Sequence, residues 1–222
     1  QLVIPDTITK IEQHAFDSCI GLTGSLIIPD SVEIIETYAF YGCSGFNGSL
    51  IISNSVTRIG NLAFAQCKNF KNSLIIPDSV KEIGNLAFDC CIGFNDSLII
   101  SNSVIHIGRS AFNQCKNFKN SLVIPDSVKE IGNYAFNECC GFNGSLKLPQ
   151  SISVIGRYTF CFNTGFTDSL IIPNSIVVIE PYAFYYCGFN GTLKLSNSLK
   201  VIHAFAFYHC SNFTESLKIP NS

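Results

Sequence analysis

Residues 74–91 read Leu-Ile-Ile-Pro-Asp-Ser-Val-Lys-Glu-Ile-Gly-Asn-Leu-Ala-Phe-Asp-Cys-Cys, and residues 122–139 read Leu-Val-Ile-Pro-Asp-Ser-Val-Lys-Glu-Ile-Gly-Asn-Tyr-Ala-Phe-Asn-Glu-Cys. The same frame runs through the whole chain. Its phenylalanine recurs at Phe16, Phe40, Phe64, Phe88, Phe112, Phe136, Phe160, Phe184 and Phe207, at a spacing of 24 residues seven times and 23 once. A cysteine follows three residues later in every copy but one, where Asn163 stands. A second large apolar residue comes next, Leu22 in the first copy and Phe46, Phe70, Phe94, Phe118, Phe142, Phe166, Phe189 and Phe213 in the others. Repeats of this length cannot bury an apolar face alone, but stacked coils share one continuous core.

Within a coil the inward set follows from alternation. Leu26 and Ile28 point one way and Ile27 the other, as in a short strand. Pro29 lacks an N–H for the ladder and ends it. Asp30-Ser31 turns the chain, and Val32 and Ile35 are the next inward pair. Ala39 and Phe40, then Cys43 and Phe46, complete the interior. Asn47-Gly48 is expected to turn the chain back to Leu50.

The pattern Leu-x-Ile-Pro-x-Ser-Val-x-x-Ile-Gly-x-x-Ala-Phe-x-x-Cys resembles the BspA-like (Treponema pallidum type) class of leucine-rich repeats, over essentially all of residues 1–222. The resemblance implies an α/β-solenoid class fold, mostly β. It would be a right-handed leucine-rich-repeat solenoid of about nine coils of 23–24 residues, with a parallel sheet on its concave face. It also implies a cell-surface or secreted protein that binds other macromolecules, with adhesion the expected task. Two departures stand out. Most units here have 24 residues where the class has 23, and Phe replaces the usual Leu after the cysteine.

Composition narrows the function. The 222 residues carry a net charge of −2, with 47% hydrophobic and 14% charged residues. That argues against disorder and against nucleic-acid or membrane-surface binding through a basic patch. No apolar run reaches the roughly 18–20 residues of a membrane span. Methionine is absent even at position 1, so the chain is expected to be a processed or excised piece. Both ends are cut in the same phase, at Leu2-Val3-Ile4-Pro5 and Leu217-Lys218-Ile219-Pro220, without distinct capping coils. The reading is one leucine-rich-repeat domain over 1–222, part of a longer array. The alternative is a structural protein whose bare ends stack head to tail into filaments.

Stacking turns each repeat position into a column. One strand column reads Val3, Ile27, Ile51, Ile75, Ile99, Val123, Lys147, Ile171, Lys194 and Lys218. Its first six members are β-branched and apolar. Either this is plain β-propensity or it is an exposed stripe for a protein partner, whether host matrix, cell surface or a second copy. A second column set is varied: Thr9-Lys10, Glu33-Ile34, Thr57-Arg58, Lys81-Glu82, Ile105-His106, Lys129-Glu130, Ser153-Val154, Val177-Val178 and Lys200-Val201. It reads as free drift at solvated positions or as a recognition surface. The column His14, Tyr38, Leu62, Leu86, Ser110, Tyr134, Tyr158, Tyr182 and Phe205 reads as a half-buried cover over the Ala-Phe edge, or as interface anchors.

Eight cysteines of the column, from Cys19 to Cys210, are read as reduced, buried thiols, with Cys90, Cys140 and Cys161 outside it. The C-x₂-C pairs of a zinc site are absent. The recurrent Ser25-type and Ser31-type hydroxyls serve turn amides rather than catalysis, which requires one unique neighbourhood. No catalytic residue, cofactor or metal is expected, and the chain is read as non-enzymatic. Sequons fall at Asn47, Asn95, Asn143, Asn190 and Asn212, the first four spaced 48, 48 and 47 residues. They are possible N-glycosylation sites or merely good turn chemistry. They belong to a two-coil superperiod, seen also in Lys-Asn-Phe-Lys-Asn at 68–72 and 116–120.

Overall fold

A computed structural model describes residues 2–214. The expected closing strand at Leu217–Pro220, with Ser216 and Lys218, lies outside the described residues.

Each coil contains three stretches bonded to the neighbouring coils. The first is the Leu-x-Ile strand: Gly24–Ile28, Phe46–Ile52, Leu74–Ile76, Leu98–Ile100, Leu122–Val123, Leu146–Lys147, Leu170–Ile171 and Leu193–Lys194. The alternation is as expected, with Leu26 and Ile28 buried and Ile27 exposed. After the proline a tight turn closes, Val32 N–H donating to the Pro29 carbonyl at 3.1 Å, and it repeats in the other coils, as from Val128 to Pro125. The second stretch is a two-residue strand, from Lys10–Ile11 through Glu82–Ile83 to Val201–Ile202. Both strand sets pair parallel, each residue facing its equivalent one coil away, as in Ile27↔Ile51 and Arg58↔Glu82.

The third stretch carries Ala-Phe and forms interlocked turns. Ala39, Tyr41 and Cys43 donate backward to the carbonyls of Glu36, Tyr38 and Phe40 within the coil. The intervening Tyr38, Phe40 and Gly42 donate outward to Asn61, Ala63 and Ala65 of the next coil at 2.8–2.9 Å. This alternation places two residues per coil in the left-handed region, such as Tyr38 at φ 59° and Gly42 at φ 67°. Nineteen described non-glycine residues have positive φ, including Leu62 and Leu86, which have no intrinsic preference for it. The expected fold class therefore holds in its mostly-β form, with no helix among the described residues.

Three details differ from the sequence reading. The coils make two separate strand ladders rather than one sheet, and the more continuous one, six strands from Lys10–Ile11 to Glu130–Ile131, lies on the Val-x-x-Ile stretch. Asn47 and Gly48 extend the strand Phe46–Ile52 instead of turning, because Phe46 pairs with Gly24 across a register shift. The expected opening strand at Leu2–Pro5 is not formed.

The interior is built of aligned rings. Phe16 to Phe207 form one unbroken stack, with centroids 5.0–5.6 Å apart. Phe46 to Phe213 form a second, at 5.1–6.1 Å. These separations suit offset stacking, and the largest fully buried side chains are rings of these stacks. The superperiod also has a structural counterpart. The Leu-x-Ile strands bond in pairs, 24–28 with 46–52, 74–76 with 98–100, 122–123 with 146–147, and 170–171 with 193–194. Within the first three pairs an asparagine Oδ1 of the later coil accepts an N–H of the earlier one: Asn47 from Gly24, Asn95 from Asn72 and Asn143 from Asn120. The donors Gly24, Asn72 and Asn120 all have positive φ.

Candidate interaction surface

The apolar column lies on the outer side of the Leu-x-Ile ladder. Ile27, Ile51, Ile75, Ile99 and Val123 are each 46–55% exposed, while their sequence neighbours Leu26, Ile28, Leu74 and Ile76 are buried. Ile171 is likewise exposed, Lys147 and Lys194 place charge toward the C-terminal end, and Val3 is exposed ahead of the first strand of this ladder. With coils stacked about 4.8 Å apart, the stripe is an uninterrupted row of branched aliphatic side chains. Around Ile51, Ile75 and Ile99 it forms a shallow groove edged by Asn54, Asp78 and Asn102 on one side and Ser49, Asn72 and Ser73 on the other. A stripe of this kind, apolar along its axis and polar at its rim, has the composition of a protein-binding surface.

The varied second set lies on the other ladder. Lys10, Arg58 and Glu36 form an exposed ion-pair chain, with Lys10 3.0 Å and Arg58 3.6 Å from the Glu36 carboxylate. The bond from Lys10 holds the Glu36 carboxyl below its ordinary range. Arg58, Glu82, His106 and Glu130 follow one another along the register, with His106 3.3 Å from Glu130. These pairs are solvated, so they tune the surface rather than hold the fold.

The family described as BspA type Leucine rich repeat region matches residues 1–119, 46–160 and 107–222, with six copies. The chain belongs to that family. A solved Treponema pallidum leucine-rich-repeat protein is 27% identical, with a TM-score of 0.65 over 74% of this chain and 76% of that one. A leucine-rich-repeat protein from Bacteroides ovatus is 25% identical, with a TM-score of 0.58 over 96% of this chain and 70% of that one. The pneumococcal vaccine antigen PcpA shares the fold, at 20% identity and a TM-score of 0.63 over 96% of this chain and 56% of that one. No curated protein matches this chain.

In this BspA-type array the remaining columns have identifiable structural work. From Cys43 onward each column thiol donates to the carbonyl of the ring residue one coil back: Cys43 to Phe16, Cys67 to Phe40, Cys91 to Phe64, Cys115 to Phe88, Cys139 to Phe112, Cys187 to Phe160 and Cys210 to Phe184, at 2.9–3.1 Å. All eleven cysteines are free. Burial pushes the Cys43 thiol up to about 11 and raises its deeper equivalents further. These are protonated donors, a role that cysteine spacing alone could not reveal.

Ser25, Ser121 and Ser169 hydroxyls accept the backbone N–H of Ser49, Ser145 and Thr192, as expected of turn hydroxyls. The Ser31-type column works in the opposite sense: Ser79 donates to the Val56 carbonyl at 2.6 Å, while Ser31, Ser127 and Ser175 hydroxyls are buried without partners. The Tyr column forms a stacked ladder from Tyr134 through Tyr158 and Tyr182 to Phe205, at 4.6–5.0 Å. Each ring in this ladder lies face to face with the next. Among the described residues no three His, Cys, Asp or Glu side chains are grouped to hold a metal, and no helix is long and apolar enough to cross a membrane.

Proposed function

We propose that this chain is a protein-binding module of a cell-surface or secreted protein, engaging its partner along the aliphatic stripe as an adhesin would. One observation carries the reading: Ile27, Ile51, Ile75, Ile99 and Val123 stay half-exposed in an unbroken row while the Leu-x-Ile, Phe and Cys core positions of the same coils are buried. An array that needed these residues only for strand propensity could use threonine at no packing cost. The partner is a protein with an elongated apolar ridge, taken from host matrix or a cell surface. Membership of a repeat family built on extended surfaces supports the reading.

The double substitution Ile51→Glu with Ile75→Glu tests it. Both side chains face solvent, so the fold should survive. Binding to immobilised extracellular matrix and to cells should fall by at least tenfold, with an unchanged circular dichroism spectrum. Undiminished binding by a folded double variant would remove the stripe from the interface. Light scattering on the same samples reads self-association, and loss of assembly without loss of matrix binding would instead make the stripe a contact between copies.

A further inference from the structure

We propose that Asn47, Asn95, Asn143 and Asn190 are N-glycosylated and carry one row of glycans along a single edge of the solenoid. The inference rests on the extracellular placement proposed above but not on the stripe. All four asparagines occupy one repeat column, are exposed, and are followed by Gly-Ser, Asp-Ser, Gly-Ser and Gly-Thr.

The hydrogen bonding along this edge separates these asparagines from their neighbours. In Asn47, Asn95 and Asn143 the Oδ1 is held by an N–H of the preceding coil at 2.8–3.0 Å, and the Nδ2 has no partner among the described residues. The Nδ2 of Asn69 and of Asn117 is tied to a main-chain carbonyl at 2.7 Å, and those of Asn72 and Asn120 are tied to serine hydroxyls. None of these four lies in a sequon. On this edge, free amide nitrogens and sequons therefore coincide. Asn212 has the motif in the column of Asn69 and Asn117, off the row formed by the other four.

Spacing gives a second argument. Sequons on every coil would put glycans about 5 Å apart, closer than the width of a sugar ring, whereas every second coil separates them by about 10 Å. The intervening positions in the column hold Lys71, Lys119 and Thr167.

In the transfer, Asn Nδ2 attacks the anomeric carbon of a polyisoprenyl-diphosphate-linked oligosaccharide. A C–N bond forms, the bond from that carbon to the diphosphate oxygen breaks, the lipid diphosphate leaves, and one amide proton passes to the transferase.

The test uses the chain purified from its source cells, separated into surface and intracellular fractions. Enzymatic deglycosylation in heavy-oxygen water converts each glycosylated Asn to isotope-marked Asp, read by peptide mass spectrometry. Marks at the four column asparagines are expected. Unmarked column asparagines in surface material would overturn the glycan row and leave the extracellular reading standing, while recovery of unmarked chain only inside the cell would overturn both. Changing all four to Asp keeps each Oδ1 acceptor and removes the Nδ2. That variant should lose the glycan mass of the row with an unchanged melting temperature, and retention of that mass would also overturn the assignment.

Discussion

The side-chain amide of Asn163 donates to the carbonyl of Phe136 at 2.9 Å. One coil earlier Cys139 makes the same bond to Phe112 at 3.0 Å. The column is thus a donor ladder, and asparagine can fill it because it too offers a hydrogen. It does so imperfectly, since its Oδ1 is buried without a partner.

Asn163→Cys should therefore stabilise the chain. Restoring the thiol donor removes one unsatisfied buried acceptor, an effect of about 1 kcal/mol. The converse change Cys115→Ala, which strips the donor from the Phe88 carbonyl, should cost about 1–3 kcal/mol. Urea unfolding of the two variants measures both, and a destabilised Asn163→Cys would contradict the ladder.

Thiol chemistry should divide along the same line. Cys67, Cys91, Cys115 and Cys139 are sealed and protonated, so a thiol reagent at pH 8 should leave them unmodified in the folded chain. Partly exposed Cys90 and Cys140 should react. The pH dependence has a definite sign. The folded pKa of the buried thiols lies above that of the unfolded chain, so the folded state holds protons that the unfolded state releases. Stability is fully present below about pH 9 and falls as pH rises through the folded value, about 11 for Cys43. During alkaline denaturation the thiolates of the four sealed cysteines should form only with unfolding.

Coil-to-coil packing sets a steric limit that a pair of alanine variants can measure. A Cβ on Gly84 would lie 2.6 Å from the Gly60 carbonyl carbon, whereas one on Gly21 would meet nothing within 4 Å. Gly84→Ala should destabilise by roughly 2–4 kcal/mol, while Gly21→Ala should be neutral within about 0.5 kcal/mol. Equal effects at the two sites would place the coils farther apart than described.

Asp89 begins a short polar ladder. Asn113 donates to it at 2.6 Å, and Asn137 donates to Asn113 at 2.8 Å. Burial raises the Asp89 carboxyl above its ordinary range. Its ionisation therefore opposes folding as pH rises above about 4. Asp89→Asn retains the acceptor and removes the charge, so it should raise the melting temperature at pH 7 by about 2 °C and leave it unchanged near pH 3. A gain that persists at pH 3 would assign the effect to something other than the charge.

The repeat, the inward set of Leu26, Ile28, Val32, Ile35, Phe40 and Phe46, and the outward aliphatic column were all legible in the amino-acid sequence. Each follows from local alternation, and stacked coils give every copy of a position the same environment. Two ladders instead of one, the pairing of coils, and the left-handed turns at Leu62 and Leu86 were not legible. Those features depend on bonds to residues about one coil away. Leu62 N–H reaches Asn85 and Leu86 N–H reaches Arg109, both at 2.8 Å, and such bonds offset a backbone conformation that leucine avoids by about 1–2 kcal/mol. Residue type fixed which side chains are buried. The neighbouring coil decided which backbone and side-chain atoms are satisfied, because only stacking brings those partners within reach.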